Sequence, residues 1–127
     1  MIRIDLNSAV PLEEQIAAAI RQSLARGDVA PGEDLPSVRQ LAADLGVHWN
    51  TVARAYRKLS DEQVISVRRG RGAVVREDGP VASNAAKAAV RESLLNVIAA
   101  GRLQGLSRRD LGRIFEKVLA EFEGVGK

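Results

Sequence analysis

The side chains best suited to chemistry lie in two short basic stretches, NTVARAYRKL beginning at Asn50 and RRGRG beginning at Arg68. In the first stretch Asn50, Arg54 and Arg57 recur at helical spacing, and no acidic residue follows before Asp61. At about 100° per residue these polar side chains lie opposite an apolar stripe. Amide and guanidinium groups donate hydrogen bonds to phosphates and to base edges in a major groove. The pattern therefore favours nucleic-acid binding.

The charge distribution points to the same part of the chain. The region 48–76 carries seven basic and two acidic residues, whereas the region 1–47 carries four basic and seven acidic residues. A local basic patch is the electrostatic footprint of phosphate binding. A solvated charged surface is the alternative that charge alone leaves open.

Two amphipathic helices precede the first basic stretch. Apolar residues at four-residue steps predict a helix from about Pro11 to Arg26, ended by a glycine. A second helix is predicted to begin at Ser37, where Gln40 completes a capping-box pattern, and to end at Gly46, which can take the left-handed conformation. The loop GDVAPGEDLP connects the two helices.

A third helix and a hairpin complete the unit. The helix is predicted from about Asn50 to Ser60, and the β-branched runs VISV and AVV that follow predict two strands. The basic segment Arg68–Gly72 would form the hairpin tip, where glycine lets the backbone approach a partner closely. Two short helices joined by a tight turn, a preceding helix and a basic hairpin describe a winged helix-turn-helix.

The last part of the chain, residues 80–127, predicts two further helices. One apolar stripe ends near Gly101, and a second begins after Ser107 and Asp110, which form another capping-box pattern. Because two isolated helices cannot cover these stripes, we expect the same tail of a second chain to cover them. Folding of the tail back onto its own winged helix is the alternative. The residues expected at the dimer interface are Val90, Leu94, Ile98, Leu111, Ile114, Phe115, Val118 and Phe122.

Other function classes find little support in the sequence. There is no cysteine and a single histidine, so a disulfide framework, a cysteine zinc site and a catalytic triad are not expected. We expect no catalytic residue, no metal site and no cofactor. The GRG within RRGRGAVV lacks the Lys-Ser/Thr ending of a phosphate-binding loop. No signal peptide or 18-residue apolar run is recognisable, which predicts no membrane association and a cytoplasmic protein.

From about Pro11 to Val75 the chain resembles the DNA-binding domain of GntR-family bacterial transcription regulators. The matching stretches are PLEEQI, GDVAPGEDLPSVRQLAADLGV, NTVARAYRKL and RRGRGAVV. The short tail resembles that of the YtrA-type subfamily. The resemblance implies a winged helix that binds operator DNA as a dimer.

The resemblance also implies roles for particular residues. Arg39 occupies the position of a family arginine that reaches DNA, and Asn50 and Thr51 match the start of the family's recognition helix. Arg69 and Gly70 match the wing tip, which enters the minor groove in that family. Together with the basic stretches, this gives the DNA-binding candidates Ser37, Arg39, His48, Trp49, Asn50, Thr51, Arg54, Arg57, Lys58, Arg68, Arg69, Gly70 and Arg71.

The chain departs from the family pattern just before and within the third helix. His48 and Trp49 stand where the family often has Ser or Thr followed by Arg, and Ala53 stands where a further arginine is common, with Arg54 next to it. The departures mean that base preference cannot be transferred from relatives. For Trp49 three roles stay open: packing on the first or second helix, contact with a sugar-phosphate, and contact with a thymine methyl group.

The sequence therefore predicts an α+β, mostly α protein. Residues 1–79 would form a winged helix-turn-helix DNA-binding domain, and residues 80–127 a two-helix dimerisation tail. The predicted function is a sequence-specific transcriptional regulator, a repressor that binds a palindromic operator in double-stranded DNA as a homodimer. The alternative is a non-specific nucleoid-associated or protein-interaction winged-helix module. The operator sequence and any small-molecule effector are not determined by these patterns.

Overall fold

The computed structural model describes residues 2–68, 72–77 and 82–124, and the chain divides into two compact units, Met1–Gly79 and Pro80–Lys127. The elements are α1 (Leu12–Arg26), α2 (Val38–Leu45), α3 (Trp49–Asp61), β1 (Ile65–Arg68), β2 (Gly72–Val75), α4 (Asn84–Leu103) and α5 (Arg108–Gly124). This mostly helical chain with one small sheet confirms the predicted fold class.

The core of the first unit lies where α1 and α2 pack against α3. It is built almost entirely from aliphatic side chains, as the low aromatic content requires. Its members are Ile16, Ala17, Ile20, Leu41, Ala42, Val52, Ala55, Tyr56, Leu59, Ile65 and Ala73. Helix α3 contributes to this core from one face only, which leaves its opposite face available for a partner.

The turn between α2 and α3 forms as the local sequence predicts. The Ser37 hydroxyl accepts a hydrogen bond from the Gln40 backbone N–H at 3.0 Å, and Gly46 adopts a left-handed φ of 69°. Only half of the predicted capping box forms, because the Gln40 side chain donates to Asp44 at 2.9 Å instead. Helix α3 begins at Trp49, one residue before the predicted start.

The hairpin is supported by the loop between α1 and α2. Strands β1 and β2 pair antiparallel, with Arg68 opposite Gly72 at the outer end. The loop pairs with the backbone of β2. The Leu35 N–H donates to the Ala73 carbonyl and the Val75 N–H donates to the Glu33 carbonyl, both at 2.9 Å. The sequence predicted only a loop here. The extra pairing fixes the base of the hairpin against the helices.

Tyr56 joins α3 to the segment that leads into α2. Its hydroxyl donates a hydrogen bond to the Pro36 carbonyl at 2.6 Å. Burial disfavours the charged phenolate and raises the pKa of Tyr56 to about 12. Since the folded pKa lies above the unfolded one, Tyr56 contributes stability below about pH 10 that is lost as the pH rises towards 12.

This pKa can be measured directly because Tyr56 is the only tyrosine in the chain. We expect the near-ultraviolet phenolate absorbance of the folded protein to titrate near pH 12 and that of the urea-unfolded chain near pH 10. Between these two pH values, the free energy of unfolding of the wild type should fall by about 2–3 kcal/mol more than that of the Tyr56→Phe variant. A folded-state midpoint near pH 10 would contradict the buried environment.

The second unit is a pair of helices joined by a short turn. Helix α4 continues to Leu103, so the predicted helix end near Gly101 was wrong. Gly101 is helical, and its lack of a side chain serves packing: a Cβ there would lie 2.7 Å from a Leu111 methyl carbon. At Gly105 the chain leaves the helical region with a φ of 89°.

Helix α5 begins with the capping box that the sequence predicts. The Ser107 hydroxyl accepts from the Asp110 N–H at 3.1 Å, and the Asp110 carboxylate accepts from the Ser107 N–H at 2.9 Å. The backbone bond from Ser107 to the ionised carboxylate lowers the pKa of Asp110. This reciprocal pair fixes the start of α5.

Candidate nucleic-acid interface

The N-terminus of α3 is fixed by His48. Its Nδ1 accepts a hydrogen bond from the Asn50 backbone N–H at 3.0 Å, so the imidazole acts as the helix cap. Histidine is not among the residue types strongly preferred at this position, and the sequence did not predict the cap. The bond satisfies one of the backbone N–H groups that the first turn of α3 leaves without a helical partner.

Trp49, the first residue of α3, lies on the surface and contributes nothing to the core. Its side chain is 48% exposed. The His48 ring stacks beside it, with ring centroids 5.6 Å apart, and the Arg39 guanidinium carbon lies 5.9 Å from the indole centroid. Trp49 therefore contacts the second helix through Arg39, as one of the three roles left open by the sequence requires, without joining the core cluster.

The outward face of α3 carries the predicted polar residues. Arg54 and Arg57 are exposed, while Asn50 and Thr51 are half-buried near the start of the helix. The opposite face is fully used by the core, so this set can only face solvent or a partner. Guanidinium and amide donors in this position can bind phosphates and base edges together.

Lys58 differs from this set. Its ammonium group forms an ion pair with Glu14, and a Glu13 oxygen lies 3.8 Å away. These carboxylates belong to α1, so the Lys58 charge is already partly neutralised within the protein. The sequence placed Lys58 among the DNA-binding candidates, and its pairing with α1 favours a structural role instead.

A shallow cavity of about 380 Å³ connects the helix-turn-helix to the outer half of the hairpin. Ser37 at the start of α2, Arg57 on α3, and Val67 and Gly72 on the two strands line it together. The fold thus brings these elements to one surface. Ser37 uses its hydroxyl oxygen as the α2 cap, which leaves its hydroxyl hydrogen for a partner.

The hairpin tip itself lies outside the described residues. Arg69, Gly70 and Arg71 belong to this segment, and of Arg68 only the backbone is described, at the end of β1. Their proposed contacts with DNA therefore depend on the sequence.

A second candidate surface is an apolar groove between α4 and α5. It has a volume of about 740 Å³, and its lining is almost entirely apolar. The predicted residues Leu94, Ile98, Leu111, Ile114, Phe115 and Val118 line it, together with Val97, Arg102, Arg108 and Gly112, which the predicted interface omitted. Val90 and Phe122 are not part of its lining. Within residues 82–124 no side chain is buried.

No group of three or more His, Asp or Glu side chains is arranged to hold a metal ion within the part of the chain that the structure describes. Over the same residues, no helix has the length and apolar character needed to cross a membrane.

Comparison with known proteins identifies the family. The sequence profile described as bacterial regulatory proteins, gntR family, matches residues 12–75, from the start of α1 to the end of β2. The chain belongs to the GntR family. It is therefore a DNA-binding transcriptional regulator and not an enzyme, as the sequence resemblance implied.

The whole chain has relatives of similar length. It is 32% identical over 100% of its residues to the HTH-type transcriptional repressor YtrA of Bacillus subtilis, covering 98% of that protein. The crystal structure of a transcriptional antiterminator from Listeria monocytogenes matches with a TM-score of 0.86 at 26% identity, over 96% of this chain and 92% of that one. The YtrA GntR-family factor of Sulfolobus acidocaldarius matches with a TM-score of 0.60 at 39% identity, over 74% and 97% of the two chains. The resemblance to YtrA-type regulators is thus confirmed.

Proposed function

We propose that this GntR-family regulator is a repressor that binds a palindromic operator as a homodimer, with α3 of each subunit in the major groove. The observation that carries the proposal is the division of α3 into two faces. One face is buried in the core, and the other presents Asn50, Arg54 and Arg57. In helix-turn-helix docking the N-terminal part of the second helix contacts the base edges, so this polar face would meet them.

The wing would add contacts with the DNA backbone. Arg68, Arg69 and Arg71 are cationic residues in a segment that also contains Gly70 and Gly72, and cationic contacts to phosphate raise affinity without selecting sequence. The backbone pairing of β2 with residues 33–35 supports the wing from the side of the helices. This role for the wing tip is inferred from its sequence.

The tail would join two copies of the chain, so that a second α3 reaches the second half-site of the operator. The apolar side chains of the tail are open to solvent, with Ile114 50% and Phe115 47% exposed. A contiguous exposed apolar surface marks an interaction site. A second copy offers the same groove and the same stripe, so a two-fold arrangement covers both. Gly112 supports this assignment: it costs helix propensity in α5, and apart from its two chain neighbours and the nearby backbone of α5, no atom lies within 4 Å of where its Cβ would be.

The comparison with YtrA supports repression as the mode of action. The Bacillus subtilis protein is named a transcriptional repressor, and the present chain matches it over its full length. A two-fold symmetric dimer that places one α3 on each half-site binds an operator with matching palindromic symmetry. Because the operator DNA of a bacterium lies in the cytoplasm, the proposed function places the regulator there.

Selection of bound duplexes from a random pool by the full-length protein tests the proposal. We expect one short palindrome, protected from nuclease and bound about 1,000-fold or more tightly than random duplex at the same salt. Equal binding to all sequences would instead indicate a nucleoid-associated protein. Failure to bind duplex DNA at low salt would indicate a protein-interaction module.

A further inference from the structure

Packing of the core does not explain why the chain has an exposed indole at Trp49. It is the only tryptophan in a chain with 3% aromatic residues, and it lies outside the core cluster. At the first position of α3, this large aromatic side chain is 48% exposed. Its apolar surface is available to a ligand that approaches the start of this helix.

The ring is also held in one orientation before any ligand arrives. The Arg39 guanidinium, which reaches the indole from α2, lies at cation–π distance from it. The His48 ring stacks beside it at an interplanar angle of 29°, and His48 is itself fixed by its bond to the Asn50 N–H. An aromatic side chain with a fixed orientation loses little conformational entropy on binding.

The major groove offers few apolar groups to such a ring. Among the base edges there, thymine alone presents a methyl group, at C5. The flat faces of the bases are stacked within the duplex and are not available. The indole N–H can donate a hydrogen bond to a phosphate, which would carry no sequence information, or to a base acceptor such as N7 of a purine.

We propose that Trp49 contacts the methyl group of one thymine in each half-site and selects thymine at that position, with Arg39 and His48 as positioning residues. This inference rests on the proposed function, because it requires α3 to enter the major groove. It explains how a position where the family often has an arginine can still select a base here. An apolar ring would replace a hydrogen-bonding side chain.

Deoxyuridine substitution provides the test because it removes only the methyl group. Each thymine of the operator selected from the random pool is replaced in turn, in both half-sites, and the affinity of the full-length protein is measured at fixed salt. We expect one position at which the wild-type affinity falls by about fourfold per half-site, the value for one buried methyl group. Substitution of both half-sites should lower the affinity by about fifteenfold.

The Trp49→Ala variant decides whether the indole makes the contact. It should bind the thymine and deoxyuridine operators equally, while circular dichroism shows an unchanged fold. If no thymine position responds in the wild type, or if Trp49→Ala keeps the full response, the inference is overturned. A wild type that discriminates single-base operator variants but ignores every methyl group leaves the proposed function intact. Equal binding to all duplexes overturns both.

Discussion

Replacing Ile114 by glutamate is expected to separate the protein into monomers and to weaken operator binding by about 100-fold or more. Ile114 lines the groove between α4 and α5 and is 50% exposed within one chain. In the proposed dimer a second chain would bury it among the apolar side chains of the groove, where a carboxylate is disfavoured. The two α3 helices would then bind their half-sites independently, without the high effective concentration that linkage provides.

Arg113→Glu is the matched control. Arg113 precedes Ile114, is exposed and is not part of the groove lining, so a glutamate at this position should leave the dimer intact. Light scattering at micromolar concentration measures the oligomeric state of each variant. Binding assays measure its affinity for DNA with one half-site and with two. Ile114→Glu should bind a single half-site as the wild type does. Wild-type monomers would contradict the dimer, and an unaffected Ile114→Glu dimer would contradict the groove as its interface.

Local patterns were sufficient to predict the helix-turn-helix. The apolar stripe of α3, the Ser37 cap and the left-handed Gly46 are each determined by residues within one or two turns of the chain. Such short-range features leave a periodic trace in the sequence. The order of the remaining elements followed from the same reasoning, with helix ends misplaced by one or two residues.

Features that depend on tertiary packing could not be predicted in this way. The pairing of residues 33–35 with β2 joins backbone groups that no local period relates. Lys58 was counted with the DNA-facing cations because no acid precedes Asp61 in its own helix, and its partners Glu13 and Glu14 come from α1. Gly101 resembled a helix end because its packing against Leu111 depends on the second helix of the tail.

For the candidate site, the residue types were predictable and their roles were not. The sequence singled out His48 and Trp49 as departures from the family pattern, but it could not distinguish a buried indole from an exposed one. Exposure and the contacts with Arg39 decide that question. The capping bond of His48 was missed because its residue type gives little indication of it.

Arg54→Ala is expected to weaken operator binding by about 1–3 kcal/mol and to relax preference at one base pair per half-site. Arg54 is exposed one turn after Asn50 on the polar face of α3, close to the end of the helix that meets base edges. A guanidinium can bind the two acceptors of guanine together, and the Asn50 amide can pair with adenine in the same way. Loss of a bidentate pair removes discrimination at that base as well as affinity.

The measurement compares wild type and Arg54→Ala on a panel of single-base operator variants at fixed salt. Lys58→Ala serves as control, since it removes a cation from the same helix whose charge is already paired with Glu14. The control should keep the affinities and the rank order of the panel. If Arg54→Ala lowers every affinity equally, random duplex included, then Arg54 contacts a phosphate and the base must be read by another side chain. A flattened preference at one position, with the other positions unchanged, is the result that assigns guanine reading to Arg54.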